Sequence, residues 1–192
     1  MAGAVLTQNT AWENARRAIA VLRRERRLTP VRMHALSLSE LAARIRPAGC
    51  PHVKARRLRA LTGLICERFG GSLDRLLALE SEALRHTLLA THGVGPETAD
   101  CILLYAARRP AFVVDAYTRR MMERHGWAPP GESYDALRAR FTAALPRDTA
   151  LYNEYHALIV VLGKHHCGTS PRCGGCPLQS RLPPGGPRGI SA

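Results

Sequence analysis

The feature that most constrains this chain is a six-residue interruption, Thr91-His92-Gly93-Val94-Gly95-Pro96, set between two stretches of helical periodicity. Two glycines break the pattern, and Pro96 suits the first position of a new helix because the N–H it lacks is one that a helix start leaves unpaired. The unit over residues 82–107 therefore reads as a helix, a tight hairpin and a second helix. Glycine permits positive φ and close backbone approach, so several N–H groups can converge on one phosphate at the positive end of a helix. An ordinary turn between helices has the same local pattern, so the hairpin alone assigns no function.

Apolar residues recur at helical spacing through most of the remaining chain. Thr10 and Glu13 have the spacing of a capping box ahead of Trp12, Ala15, Ile19 and Leu22. A second box, Ser37 to Glu40, opens a helix with Leu38, Leu41 and Ile45 inward, which Pro47 closes. A longer helix is predicted over 53–69, ended by Gly70-Gly71, with short ones over 73–79 and 82–90. After the hairpin helix, Ala111 to Val114 form an extended apolar stretch, and Asp115 is placed to cap a helix running to residue 125. Two more helices are predicted over 133–144 and 148–162. With no sustained strand alternation and no internal repeat, the fold class is all-α.

The formal charge of +13 and a pI near 10.5 point to a polyanionic partner, because such an excess repels itself in a compact fold. Residues 1–60 carry 13 Lys and Arg against 3 acids, whereas residues 61–120 carry 7 of each, so the first third is the basic part. An arginine-rich composition with solvated helix faces is the alternative reading of the same numbers. Only Lys54 and Lys164 are lysines. No apolar run is long enough to span a bilayer and no signal peptide opens the chain, so a soluble, intracellular (cytoplasmic) monomer is expected.

Of six cysteines, Cys50, Cys66 and Cys101 are scattered singly, as small buried thiols are. Cys167, Cys173 and Cys176 cluster with metal-ligand spacing.

Two strings, His92-Gly93-Val94-Gly95-Pro96-Glu97-Thr98-Ala99-Asp100 and Phe112-Val113-Val114-Asp115-Ala116-Tyr117-Thr118-Arg119-Arg120, together resemble the signature of the endonuclease III superfamily of base-excision DNA glycosylases. Leu6-Thr7-Gln8-Asn9-Thr10, Tyr152-Asn153-Glu154-Tyr155-His156 and the cysteine cluster follow the same family order, so the likeness spans residues 3–180. The resemblance implies two helical lobes with DNA entering between them. The first, residues 1–112, is of six-helix-barrel type and holds the helix-hairpin-helix; the second covers 113–182, and a tail over 183–192 is expected to be disordered. The family places a helical segment before the Leu-Thr-Gln string, with which this sequence opens almost at once; either the start is truncated or misassigned, or the second lobe lacks that helix, and in both cases apolar surface is expected to be uncovered.

The resemblance also implies roles. An enzyme that removes a base flips it out of the duplex, fills the gap and supplies charge at the sugar. Asp115 is the expected catalytic carboxylate, stabilising the oxocarbenium-like sugar and orienting water; an ordinary helix cap is the structural alternative. Gln8 matches the gap-filling glutamine, Gly93, Val94, Gly95 and Thr98 belong to the DNA-binding hairpin, and Trp12 is a candidate for the base pocket. Glu97, the second candidate catalytic carboxylate, stands where bifunctional relatives carry a lysine that forms a Schiff base. A glutamate cannot form an imine, which shifts the likeness toward monofunctional, 3-methyladenine glycosylase-like branches. An acid there also complements the helix dipole without any chemistry, and Asp100, three residues on, is a further carboxylate on that side.

The cysteine cluster resembles the loop that holds a 4Fe-4S cluster in many family members, yet the fourth cysteine, expected at or near Leu182, is missing. Three thiolates can bind an iron–sulfur cluster with another ligand, bind zinc with His165 or His166, or bind nothing. The expected activity is monofunctional excision of damaged, including alkylated, bases from double-stranded DNA. A DNA-binding member without catalysis and an AP lyase using Lys54 or Lys164 are the alternatives.

Overall fold

The computed structural model describes residues 1–189, and these form eleven α-helices and two short 3-10 turns with no strand among the described residues. The helices are α1 (Ala2–Leu6), α2 (Trp12–Arg24), α3 (Pro30–His34), α4 (Leu38–Ile45), α5 (Pro51–Phe69), α6 (Leu73–Leu77), α7 (Ser81–Leu89), α8 (Pro96–Tyr105), α9 (Ala116–Arg124), α10 (Tyr134–Ala144) and α11 (Thr149–His165). The all-α class read from the sequence is the class observed. None of these helices is long and apolar enough to cross a membrane.

The chain divides into two compact units at Arg109–Pro110, rather than after Phe112 as the sequence suggested. The side chains show why. Arg109 is tied back by its N–H to Leu103 O at 2.9 Å and by its guanidinium to Leu77 and Leu79 carbonyls at 3.4 Å. Phe112 instead stacks on Phe141, ring centroids 4.1 Å apart, with Tyr152 and Tyr155 edge-on.

In the first unit α5 is the central rod, packed by α1, α3, α4 and α6. Its Ala55, Leu58, Leu61 and Ile65 are buried at helical spacing, along with Leu41, Ile45 and Leu76 from its neighbours and Leu22 from α2. Each fully buried leucine or isoleucine contributes about 1.5–3 kcal/mol relative to exposure, so this stripe dominates the unit's stability. Gly70 ends α5 in the left-handed conformation, as the glycine pair implied. The Ser37–Glu40 capping box forms with both hydrogen bonds.

The other expected box does not form. Ala11 caps α2 without a side-chain bond, Glu13 turns outward to pair with Arg16 at 2.7 Å, and Thr10 Oγ1 accepts from Asn14 at 3.1 Å. The guanidinium one turn along offers Glu13 a stronger, charge-assisted partner than a backbone N–H. Helices α1 and α3, of five residues each, lay outside the sequence reading.

In the second unit α9 packs on α11, whose buried residues Tyr152, His156, Ile159 and Gly163 recur along one face. Of the tail expected to be disordered, residues 183–189 run as turns, with Arg188 N–H donating to Arg124 O at 2.9 Å. Residues 190–192 lie outside the described residues.

Candidate active site

Asp115 caps α9 from an extended backbone. Its Oδ1 accepts from Thr118 N–H at 2.8 Å and from Thr118 Oγ1 at 2.9 Å, so both donors of one residue hold one carboxylate oxygen. The other oxygen, Oδ2, lies 3.6 Å from His156 Nε2, in a pair whose side chains are only 14% and 11% exposed. Burial pushes the Asp115 carboxyl up, but the His156 contact and the two Thr118 donors outweigh it and hold the group below its ordinary value of 3.8. The result is an ionised carboxylate, largely dry, held at a defined orientation. A fixed charge of this kind stabilises a cation that develops beside it.

The contact between α9 and α11 depends on Gly163, where a Cβ would run into the ring of Tyr117. That close approach sets His156 of α11 opposite the head of α9. His156 belongs to the Tyr152–His156 string, where its sequence position gives it no role, and Thr118 carries a readable signal in its Asp-x-x-Thr capping spacing.

In the first unit the hairpin is built as the glycines implied. Helices α7 and α8 pack together, and Gly93 adopts φ +80° against the stem of Arg57, where any Cβ would overlap Arg57 Cγ. Gln8 is braced to it: its Nε2 donates to Gly93 O at 3.0 Å and Thr98 Oγ1 at 2.8 Å, while its Oε1 accepts from Arg57. Gln8 thus shapes the hairpin in this state, instead of standing free. Val94 and Thr98 face inward at 5% exposure each, and the Val94 N–H is taken by Thr91 O at 3.0 Å. The exposed positions of the hairpin are Gly95, the cap of α8, and His92. Trp12, at the start of α2, is 53% exposed, so it stands off the core stripe on which the sequence placed it.

The carboxylates of α8 separate clearly. Asp100 is fully buried in a two-pronged pair with Arg85, at 2.9 and 3.3 Å, which makes it a structural charge rather than a second catalytic acid. Glu97 is exposed in the first turn. Lys54 is 3% exposed, and its ammonium donates to Leu6 O at 2.9 Å and Ala48 O at 2.6 Å.

The cysteine loop follows α11. Cys167, Cys173, Cys176 and Leu182 are among the residues that line one small cavity of about 20 Å³, with Leu182 where the fourth cysteine was expected. Buried Arg124 ties the loop through Cys167 Sγ at 3.2 Å, Gly168 O at 2.7 Å and Thr169 O at 2.6 Å. Among the described residues no group of three or more His, Cys, Asp or Glu side chains is arranged to hold a metal ion. An alkyl side chain at the fourth position supplies no ligand, so the residues present do not fit a four-thiolate 4Fe-4S site.

Residues 2–147 match the family of HhH-GPD superfamily base excision DNA repair proteins. A chain of Methanocaldococcus jannaschii assigned as a DNA repair glycosylase is 43% identical, over 92% of this chain and 81% of that one. Endonuclease III of Thermotoga maritima is 29% identical, over 92% of this chain and 78% of its own. Among solved structures, the 3-methyladenine DNA glycosylase of H. pylori bound to 1,N6-ethenoadenine superposes with a TM-score of 0.70 at 29% identity, covering 85% of this chain and 82% of that one. A non-covalent endonuclease III–DNA complex shares the fold with a TM-score of 0.79 at 24% identity, covering 94% and 80%. The chain belongs to the HhH-GPD superfamily of base excision DNA repair proteins, and it is a DNA glycosylase of that family.

Proposed function

We propose that this glycosylase is monofunctional: it hydrolyses the N-glycosidic bond of damaged bases in double-stranded DNA and leaves the strand intact. The observation that carries this reading is where the lysines are. An imine mechanism needs an amine at the reacting sugar, and position 97, where bifunctional relatives keep theirs, is an exposed carboxylate. Burial pulls the pKa of Lys54 down, as in many nucleophilic lysines, but the amine is sequestered between two carbonyls. Lys164 lies eight residues beyond His156 on α11, about 12 Å further along the axis at 1.5 Å per residue. That is too far to serve a sugar placed beside Asp115.

Water is then the nucleophile. As the glycosidic bond breaks, its electron pair leaves with the base; Asp115 stays ionised, stabilises the cationic sugar and orients the water that adds to its anomeric carbon, and the proton that water then loses passes to solvent. Glu97 contributes by excluding the amine chemistry of that position. Exposed Gly95 and the positive end of α8 grip a phosphate without reading sequence. Gln8 and Trp12 act from the same unit, the first on the gap left by the flipped base and the second on its ring face. The three-cysteine loop takes no part in the chemistry and, without a fourth thiolate, does not hold a four-thiolate 4Fe-4S cluster; iron in the purified protein well below one atom per chain is expected, and a brown protein with about four irons would assign the fourth iron a ligand other than cysteine.

The likeness to a 3-methyladenine DNA glycosylase supports alkylated bases as the substrate class. The test is base release from duplexes carrying alkylated, oxidised or deaminated bases. Release of the alkylated base by the wild type, abolished in Asp115→Asn, is expected. Release confined to oxidised or deaminated bases would overturn the substrate class, and no release from any duplex would favour the non-catalytic alternative.

A further inference from the structure

We infer that His156 is the positioning residue of the active-site carboxylate, fixing the Asp115 oxygen that the helix cap leaves open. The inference deepens the reading of Asp115 above and rests on it. The two oxygens of Asp115 have different surroundings. Oδ1 is held by two donors of Thr118, as a capping oxygen is, whereas Oδ2 faces the imidazole Nε2 at 3.6 Å.

A carboxylate held at one oxygen can still pivot, because the torsion that turns its plane has a broad, two-fold profile. A contact at Oδ2 removes that freedom. It also leaves the full charge in place when the imidazole is neutral and turns its N–H toward the oxygen, while an imidazolium would offset the charge the reaction needs. Distances of this kind often shorten when substrate closes a site.

The surroundings of His156 are those of a built position. It lies on the buried face of α11 between Tyr152 and Ile159, 9% exposed, and it is brought to the head of α9 by the close approach at Gly163 and Tyr117. A histidine serving only as packing on an apolar face has no need to meet the carboxylate of the neighbouring helix. The nearest catalytic analogy is general: groups that hold a reacting carboxylate or imidazole in place set the rate without touching substrate.

The experiment compares wild type, His156→Gln, His156→Phe and His156→Met in single-turnover base release from the fastest substrate of the lesion panel. Affinity for a duplex carrying a tetrahydrofuran abasic analogue and thermal unfolding are measured on the same samples. Phe and Met lack a donor and differ in shape, so one serves if the other fails to fold. The expected result is a loss of about a hundredfold in rate with DNA affinity nearly unchanged, and recovery of most of the rate in His156→Gln, which returns an N–H donor. A full rate in a folded His156→Phe or His156→Met overturns the inference. So does a folded His156→Gln as slow as the other two, which would assign the loss to ring packing. Asp115→Asn is run alongside: activity retained there refutes the active-site reading itself, whereas an inactive Asp115→Asn beside a fully active His156→Met refutes only the pairing.

Discussion

The heads of α8 and α9 begin alike, each with an acid at the start of a helix, and they end in opposite chemical situations. Glu97 sits in the first turn of α8, exposed, where it complements the helix dipole. Asp115 caps α9, where it is largely desolvated and met by Thr118 and His156. Local sequence makes the two interchangeable; tertiary packing gives one of them a fixed, dry charge. A carboxylate in water loses most of its influence to screening, while one held in a low-dielectric site keeps it. In the proposed reading, what separates a dipole partner from the catalytic carboxylate is what α11 brings to the head of α9.

The sharpest way to break this comparison is to neutralise each acid in turn. Asp115→Asn keeps an oxygen for Thr118, since asparagine caps helices as well as aspartate does, so the protein is expected to stay folded and bind DNA. Base release should fall by about a thousandfold, the scale of losing one electrostatic contributor to a transition state. Glu97→Gln should change the rate by less than about threefold, as befits an exposed dipole partner. Equal losses in the two variants, measured as single-turnover rates, would erase the distinction.

A smaller effect separates the two glycines of the α8 hairpin. Gly93→Ala introduces a side chain at positive φ and against Arg57, so it should cost about 1 kcal/mol or more of stability in denaturant unfolding. Gly95→Ala meets open space at φ −89°, so it should leave stability nearly unchanged while weakening DNA binding. A large stability loss at Gly95 would mean that the hairpin is packed differently from this description.

The smallest effect expected is on acid stability. The Asp115 carboxyl is held below its ordinary 3.8, so its ionisation adds stability that is present above that value and lost as the pH falls through the lower, folded value. The stability difference between wild type and Asp115→Asn should be constant near neutrality and shrink below pH 3.8. A difference that grows on acidification would place the folded value above the ordinary one, and Asp115 in an apolar rather than a hydrogen-bonded setting.

The sequence made the helical class, the hairpin and the cap at Asp115 legible because each rests on short-range rules: periodicity, glycine at a turn, an acid before a helix. It left His156 without a role, since 41 positions along the chain separate it from Asp115 and the packing of α9 on α11 joins them. The burial of Val94 and Thr98 was not legible for a related reason. A hairpin motif names the residues of the turn, but the direction each side chain takes depends on Gln8 and Arg57, which come from other helices or loops. At the cysteine loop all three cysteines line one cavity, and Leu182, where the fourth was expected, lines it too.

The most direct test of hydrolysis by an Asp115-assisted water is borohydride trapping during turnover on the fastest damaged duplex, with the DNA products resolved before and after hot alkali. The account expects no covalent protein–DNA adduct, an intact strand bearing an abasic site, and breakage only after alkali. An adduct that forms in the wild type and disappears in Lys54→Ala or Lys164→Ala would contradict it and install an imine mechanism in its place.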